Sequence, residues 1–247
     1  MNFFSLFKRN LIYKIKKKIS IDTENFESRS LDFFFHKYGS DKANIFKETQ
    51  KSGHGFSIYY ENKLNKLKDK KINILEIGSF AGASAAAFSK YLPYSKIYCF
   101  DVNISNFKYR SKNIHVFGLD INNQEKVEKI INKIFLDNNI TLFDLIIDDG
   151  SHKLSDILNG FKFFFKFLKN KGLYVIEDYK YPNYYDYNNN IDHIYVDEFL
   201  NNLQNKKFFT SKIFSGQDQK ELISSIKTVE IFKGNLNDSD ISFITKA

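Results

Sequence analysis

The chain has 247 residues, of which 43% are hydrophobic and 27% charged, as is typical of a globular protein with a well-buried core. Two prolines and eleven glycines exclude collagen-like and Pro/Gly-rich disordered classes. No apolar run approaches the ~18 residues of a membrane-spanning helix. The single cysteine, Cys99, excludes a disulfide framework and a cysteine-based zinc cluster. It fits a reducing compartment, so we expect a cytoplasmic protein.

The basic charge is concentrated in the first 20 residues. The net charge of the whole chain is +8, a value that could indicate nucleic-acid binding. The first 20 residues contain no acidic side chain and six basic ones, which are Lys8, Arg9, Lys14, Lys16, Lys17 and Lys18. Without these six, 31 basic and 29 acidic residues leave a charge of only +2, so we expect no nucleic-acid partner.

Residues 1–20 have a helical pattern of their own. Their apolar residues recur at roughly helical spacing with lysines between them, which predicts an amphipathic helix. Basic residues interrupt the apolar stretch and no small-residue cleavage site follows, which disfavours a secretory signal. Two interpretations stay open: peripheral contact with an anionic membrane surface, or packing against the body or a second subunit of a homo-oligomer.

Five short apolar segments recur between residues 72 and 178. They are rich in β-branched residues and nearly continuous in hydrophobicity, which is typical of strands covered on both faces of a sheet. The segments are 72–78, 96–102, 113–119, 143–150 and 172–178. Stretches 83–92 and 153–170 between them are long enough for crossover helices. This alternation predicts a doubly wound α/β fold with a mostly parallel sheet.

The pattern changes after residue 178. Residues 179–192 are rich in Tyr and Asn and are predicted to form a loop. Segments 224–234 and 239–247 read as two strands joined by a turn, an antiparallel pair that brings the sheet to seven strands. We expect an N-terminal helical region, 1–70, ahead of a core spanning 71–247.

The first strand of the core leads into a glycine-containing loop. Glu76 is followed by Gly78, Ser79 and Gly82, and ligands of doubly wound sheets bind at this end of the strands. Phe80 stands where a dinucleotide fingerprint requires glycine, and no lysine supplies a Walker A loop. The remaining pattern, acid-x-Gly-x-x-x-Gly, suits a nucleoside ligand without phosphates.

Acidic residues follow the next two strands. Asp101 ends the second strand, where a carboxylate can hold ribose hydroxyls. Asp120 follows the third strand, where it would meet an adenine edge. Each acid alone could be a solvated strand end or a helix cap, but their succession beside the glycine loop favours a nucleoside site.

A second acidic cluster follows the fourth and fifth strands. Asp148, Asp149 and His152 end the segment IIDDGSH, and Glu177 and Asp178 end the segment VIED. Neighbouring parallel strands bring such clusters to one edge, and crowded carboxylates need a cation or proton. Oxygen ligands favour Mg²⁺, Mn²⁺ or Ca²⁺ over zinc. His152 could act as a general base, while Asp148 could cap the following helix or orient the ligand.

These motifs resemble those of the class I S-adenosylmethionine-dependent methyltransferases over about residues 70–247. The pair IIDDGSH and VIED is similar to that of the sugar O-methyltransferases of macrolide biosynthesis (the mycinamicin and tylosin type) and their cephalosporin-hydroxylase-like relatives. The resemblance implies that S-adenosylmethionine binds Glu76, Gly78, Ser79, Gly82, Asp101, Asp120 and Asp148. It also implies Mg²⁺ or Mn²⁺ near Asp149, Glu177 and Asp178, and His152 as the base, with Asp149 beside it.

A segment ahead of the core supports the same family. YGSDK, residues 38–42, and HGFSIYYE, residues 54–61, resemble the segment Y-G-T-D-K…H-x-Y-x-x-x-Y-E of these proteins, with Ser40 for Thr and Phe56 for Tyr. The resemblance implies that this segment covers the cofactor and contributes Tyr38, Lys42 or His54. A structural alternative is a helix held by aromatic packing.

The expected function is therefore O-methylation of a sugar hydroxyl, on a small molecule, a nucleotide-activated sugar or a surface polysaccharide. Loop 179–192 is expected to form one wall of the acceptor pocket. The alternatives are a different small-molecule methyltransferase, a nucleic-acid methyltransferase, and a cofactor-binding protein without catalysis. Hydroxylation, which one relative performs, lacks the usual ligand set of two histidines and a carboxylate.

Overall fold

The computed structural model describes residues 3–26, 28–180 and 186–247. Its helices are α1 Phe3–Ile15, α2 Leu31–Tyr38, α3 Ser57–Leu64, α4 Ala83–Tyr91, α5 Gln124–Asn138, α6 Leu154–Phe164, α7 Val196–Gln204 and α8 Gly216–Ser225. Its longer strands are β4 Asn73–Ile77, β5 Lys96–Asp101, β7 Ile114–Gly118, β8 Phe143–Asp148, β9 Leu168–Glu177, β10 Ile226–Lys233 and β11 Asp240–Lys246. Two-residue strands are β1 Ile19–Ser20, β2 Ile45–Phe46, β3 Lys51–Ser52 and β6 Tyr109–Arg110.

The longer strands form a seven-stranded sheet in the order β10-β11-β9-β8-β4-β5-β7. Strand β5 pairs in parallel with β4 and β7, and β8 pairs in parallel with β9. At the other end, β11 runs antiparallel to both β9 and β10. The predicted fold class, a mostly parallel sheet closed by an antiparallel pair, is confirmed.

Two details between residues 153 and 225 differ from the predicted elements. Helix α6 ends at Phe164, a short 3-10 turn follows, and β9 already begins at Leu168, so the predicted helix to residue 170 is too long. The aromatic run of this segment fits a helix as well as a turn, and only pairing with β8 decides where the strand starts. Helices α7 and α8 were not predicted, although α7 buries apolar residues at i, i+3, i+4 and i+7.

The chain divides into two compact units. The first comprises residues 1–127 and 234–237, so the N-terminal 70 residues share a unit with strands β4, β5 and β7. Its core includes the alanine-rich helix α4, whose small side chains let α2 pack closely against it. Phe35 of α2 meets Phe88 of α4 edge-on, with ring centroids 5.3 Å apart. The second unit comprises residues 128–233 and 238–247.

The core of the second unit is largely aromatic. Phe161 of α6 lies at its centre and contacts the rings of Phe165, Tyr174 and Phe199 at centroid distances of 5.0, 4.9 and 5.2 Å. Each of these four side chains is buried. Offset and edge-on aromatic pairs of this kind stabilise a core beyond the area that they bury. The packing holds α6 against β9, and thereby positions the residues at the start of α6.

The predicted N-terminal helix forms as α1 and lies against the first unit. Arg9 Nη1 donates a hydrogen bond to the carbonyl of Val102 at 3.2 Å, and Asn10 Nδ2 donates to that of Gly118 at 3.3 Å. The ring of Tyr13 meets that of Phe107 edge-on. Helix α1 is thus fixed across the carboxyl ends of β5 and β7. Within the described residues, no helix combines the length and hydrophobicity needed to span a membrane.

Candidate active site

The loop between β4 and α4 is a tight turn with a left-handed backbone. Gly78 has φ +85°, Phe80 φ +41° and Gly82 φ +76°. The Gly78 N–H donates to the carbonyl of Phe100 at 2.8 Å, which ties the loop to the end of β5. A Cβ on Gly82 would lie 2.4 Å from the ring of Phe107, so both the conformation and the space require glycine.

Asp101, at the end of β5, is held by the glycine loop itself. The Phe80 N–H donates to Asp101 Oδ2 at 2.7 Å, and the Asn103 N–H donates to Oδ1 at 2.5 Å. Each carboxylate oxygen has a second lone pair, so both can accept a further hydrogen bond. The carboxylate is therefore fixed in orientation and able to receive a pair of hydroxyl groups.

Glu76 and Ser79 stabilise the glycine loop through hydrogen bonds. Glu76 is fully buried and accepts a hydrogen bond from the Ser84 hydroxyl on α4. The Ser79 hydroxyl donates to the Glu76 carbonyl at 3.4 Å. Burial, followed by the negative charge of Glu76, raises the pKa of the Cys99 thiol well above its usual range. Glu76 thus joins the first strand to the helix that begins after the loop.

Asp120 follows β7, the strand that pairs with β5, two residues after its end. The Leu119 N–H donates to the Asp101 carbonyl at 3.0 Å, which brings the ends of β5 and β7 level. Asp120 Oδ1 accepts the Asn122 N–H at 3.1 Å and so also supports the turn before α5. The glycine loop, Asp101 and Asp120 therefore form one group within the first unit.

Tyr38, Lys42 and His54 belong to the segment ahead of the core, where the His54 N–H donates to the Asp41 carbonyl at 2.7 Å and the Phe56 N–H donates to the Lys42 carbonyl at 2.9 Å. The Tyr38 hydroxyl donates to Glu24, and burial followed by this hydrogen bond raises the Tyr38 pKa. The Tyr38 carbonyl accepts from Tyr109 at 2.6 Å. Lys42 is buried, and the His54 ring packs on Phe56 with centroids 5.2 Å apart. Tyr38 thus contacts Tyr109 of β6, a strand that begins two residues after Phe107, whose ring faces Gly82.

The second unit brings Asp149, His152 and Asp178 together. One ligand atom from each lies within 4.8 Å of the other two, and all three side chains are half-buried. His152 Nε2 is 3.8 Å from Asp149 Oδ1. The parallel register aligns Asp148 with Ile176, so the residues after β8 and those after β9 emerge at one edge. A carboxylate pair with an imidazole can bind a divalent cation or move a proton.

Two members of this cluster have a strained backbone. His152 has φ +53° and Asp178 has φ +50°, although neither is glycine. A left-handed conformation of this kind costs about 1–3 kcal/mol and persists only where the surrounding structure imposes it. Such residues concentrate at functional sites, so the strain adds an observation that the ligand atoms alone do not give.

Asp148 and Glu177 are the buried neighbours of the cluster. Asp148 is 4% exposed, and its Oδ2 faces Gly160 of α6 with no hydrogen-bond partner among the described residues. Burial raises the Asp148 pKa to about 7, against the hydrogen bond from the Gly150 N–H. Glu177 is 1% exposed and pairs with Ile241 of β11. Within the described chain, neither belongs to the group of ligand atoms formed by the other three.

Two further residues of these loops were not predicted as site residues from the sequence. Phe80 is 65% exposed, so its ring is presented to solvent from the strained glycine loop. Asn188 is buried, and its Oδ1 accepts the Leu154 N–H at 3.3 Å, which caps α6 just after His152. Asn188 lies in the predicted loop 179–192, of which residues 181–185 fall outside the described residues. An exposed aromatic in a glycine loop could have been noticed; the asparagine carries no sequence signal.

No protein-family model matches the chain. Among curated proteins, it is 30% identical over 159 residues to L-olivosyl-oleandolide 3-O-methyltransferase of Streptomyces antibioticus, covering 62% of this chain and 38% of that protein. It is 26% identical over 132 residues to mycinamicin VI 2''-O-methyltransferase of Micromonospora griseorubida, covering 51% of this chain and 31% of that protein. The matches therefore span only about a third of these relatives' length.

A solved structure shares the fold. The MycE methyltransferase of the mycinamycin biosynthetic pathway, in complex with Mg and SAH, superimposes with a TM-score of 0.66 at 19% identity. The likeness covers 89% of this chain and 54% of that protein. The resemblance to class I methyltransferases, and within them to sugar O-methyltransferases, is confirmed.

Proposed function

We propose that this chain is an S-adenosylmethionine-dependent O-methyltransferase that acts on a sugar hydroxyl. The carrying observation is the Asp149–His152–Asp178 cluster, a proton acceptor and two oxygen ligands gathered after neighbouring strands. The sugar O-methyltransferases among the curated relatives and the fold shared with MycE support the same reaction. The acceptor we propose is a sugar carried by a small molecule, a nucleotide or a surface polysaccharide, and the compartment is the cytoplasm.

The glycine-loop group suits the cofactor. S-adenosylmethionine would supply the electrophilic methyl group. Asp101 would accept its ribose hydroxyls, because backbone N–H groups already fix both carboxylate oxygens. Gly78 lets the backbone approach the ligand closely, and Asp120 lies on the next strand end, where an adenine edge would be met. Tyr38, Lys42 and His54 remain candidates for the cofactor-covering segment.

The acidic cluster suits a divalent cation. Asp149 and Asp178 offer hard carboxylate oxygens, the ligands that Mg²⁺ and Mn²⁺ prefer, and water commonly completes their coordination. The bound ion would lower the pKa of an acceptor hydroxyl. Glu177 is buried directly before Asp178 and would contribute negative charge at the site.

His152 is the proposed base. Its Nε2 would take the proton from the acceptor hydroxyl as the oxygen bonds to the methyl carbon, the methyl carbon–sulfur bond would break, and S-adenosylhomocysteine would leave. Asp149, 3.8 Å away, would stabilise the imidazolium that forms. The left-handed backbone of His152 gives its imidazole ring an orientation that a residue with helical backbone angles would not have. The proton thus has a defined acceptor, and the developing charge has a counter-ion.

The reaction is tested with purified protein, S-adenosylmethionine and a panel of sugar-bearing macrolides, nucleotide sugars, a catechol and RNA. We expect mass spectrometry to detect one added methyl group on a sugar. His152→Ala should lower kcat by ~10²–10⁴-fold while S-adenosylmethionine binding by calorimetry stays unchanged. His193→Ala, which alters an exposed histidine, is the matched control. Methylation of RNA or catechol alone would refute the sugar assignment, and normal kcat in His152→Ala would refute the base.

The cation is tested separately. We expect EDTA to abolish turnover and Mg²⁺ or Mn²⁺ to restore it. Calorimetric titration with Mg²⁺ alone should show binding to the wild type that Asp178→Asn weakens by at least about tenfold. Asp137→Asn changes an exposed aspartate of α5 and should bind Mg²⁺ as the wild type does. Full activity in EDTA would refute the metal and leave these carboxylates as orienting groups.

A further inference from the structure

Helix α1 exposes a row of large apolar side chains. Phe4 is 77%, Phe7 61%, Leu11 50% and Ile15 76% exposed. At 3.6 residues per turn these four residues fall within an arc of roughly 80° on one side of the helix. We call them the outward stripe. Contiguous exposed apolar surface of this kind marks a place where another surface binds.

The opposite side of α1 is the side that contacts the first unit. Arg9 and Asn10 donate to backbone carbonyls there, and Asn10 approaches Gly118 so closely that a Cβ would meet its amide at 2.3 Å. The polar contacts thus decide the rotation of α1 about its axis. With Tyr13 packed on Phe107, the four residues of the outward stripe face away from the body, which the sequence pattern alone would not predict.

Basic residues flank the outward stripe. The same helical geometry puts Lys8 on one side of the stripe and Lys14 on the other, and both side chains are exposed. Beside the stripe, a cavity of about 350 Å³ is lined by Leu6, Phe7, Leu11, Gly118, Lys14 and Lys126. An apolar surface bordered by lysines combines the two attractions that hold an amphipathic helix in a lipid interface.

The charge of this surface selects its partner. Residues 1–20 have six basic and no acidic side chains. A second copy of the chain would oppose two such surfaces and add like-charge repulsion, whereas an anionic bilayer supplies opposite charge and an apolar layer together. We propose that α1 docks the protein peripherally on an anionic lipid bilayer. The outward stripe then lies at the boundary of headgroups and acyl chains, and Lys8 and Lys14 face the lipid phosphates.

Vesicle flotation of the full chain tests this proposal, with phosphatidylcholine vesicles that contain or lack phosphatidylglycerol. We expect binding to the anionic vesicles that rising salt weakens. Phe4→Ser/Ile15→Ser should weaken binding by at least about tenfold. Lys8→Gln/Lys14→Gln should weaken it by about 30-fold, since each lysine near the surface contributes about 1 kcal/mol.

Matched variants on the body distinguish docking through α1 from nonspecific adsorption of the protein to vesicles. Phe208→Ser/Leu136→Ser removes two apolar side chains that are 63% and 82% exposed, and Lys207→Gln/Lys220→Gln removes two exposed lysines. Both should bind vesicles as the wild type does, and all variants should keep the wild-type unfolding temperature and S-adenosylmethionine affinity. The proposal is overturned if neutral and anionic vesicles bind alike, or if body variants lose as much as α1 variants. It is equally overturned if the chain is a dimer that Phe4→Ser/Ile15→Ser dissociates.

Discussion

Replacing Gly82 by alanine probes how the glycine loop is built. The new Cβ would lie 2.4, 2.6 and 2.7 Å from three ring atoms of Phe107, closer than real Cβ contacts. Phe107 is fully buried, so its ring cannot swing into solvent. The substitution also places alanine at φ +76°. Gly82→Ala is therefore destabilised both by steric overlap with the Phe107 ring and by the left-handed backbone.

Gly39 separates these costs. It has nearly the same backbone, φ +78°, and nothing lies within 4 Å of its Cβ position. Gly39→Ala should lower the free energy of unfolding by about 1–2 kcal/mol, the cost of a left-handed alanine. Gly82→Ala should add about 1–3 kcal/mol for overpacking against the Phe107 ring. The expected total for Gly82→Ala is thus about 2–5 kcal/mol.

Equilibrium unfolding in urea measures both variants, from the shift of the midpoint at constant slope. In a Phe107→Leu background, which shortens the opposing ring, Gly82→Ala should cost only what Gly39→Ala costs. Calorimetry should also show weaker S-adenosylmethionine binding for Gly82→Ala. Equal destabilisation of the two single variants would refute the close approach of Phe107 to the loop.

Three further outcomes are expected. Burial raises the pKa of Asp148 to about 7, so its contribution to the free energy of unfolding is fully present below about pH 4 and is lost as pH rises through 7. In EDTA, Asp148→Asn should therefore raise the free energy of unfolding by up to about 4 kcal/mol near pH 8 and leave it unchanged near pH 4, as measured by urea titrations. Asp192 accepts hydrogen bonds from Ser211 Oγ at 2.6 Å and the Ile213 N–H at 3.1 Å, so Asp192→Ala should speed amide exchange at residues 211–213 by at least about tenfold by mass spectrometry, and unchanged exchange would contradict this anchor. Cys99 is buried with a raised pKa, so iodoacetamide should alkylate it about a hundredfold slower in the native than in the urea-unfolded protein, and fast native labelling would disprove its burial.

The central sheet was readable from the sequence because its strands are buried on both faces. A segment such as NILEI of β4 must be apolar at nearly every position, and its one acid, Glu76, is accommodated by the Ser84 hydroxyl. The closing pair β10 and β11 was readable from its intervening turn. By contrast, the start of β9 depends on pairing with β8, an interaction between distant residues that local pattern does not encode.

The orientation of α1 shows the same limit. Helical periodicity predicted the helix and left open which side would face the body. Periodicity gives the direction of the apolar side, and burial normally turns that side inward. Here the hydrogen bonds of Arg9 and Asn10 to carbonyls at the ends of β5 and β7 turn it outward. Those carbonyls belong to residues about 100 positions away, so only the folded chain reveals the choice.

The strained residues of the two candidate groups follow a common logic. Phe80, His152 and Asp178 are non-glycine residues with positive φ, and each lies in a loop that follows a strand of the sheet. A left-handed backbone is expected from sequence only at glycine or asparagine, so the identities of Phe80, His152 and Asp178 did not predict their positive φ. Glycine would relieve the strain at His152 and Asp178 but would remove the imidazole and the carboxylate. If the proposed chemistry is what retains the strain, His152→Gly and Asp178→Gly should each unfold at higher urea concentration than His152→Ala and Asp178→Ala while remaining equally inactive.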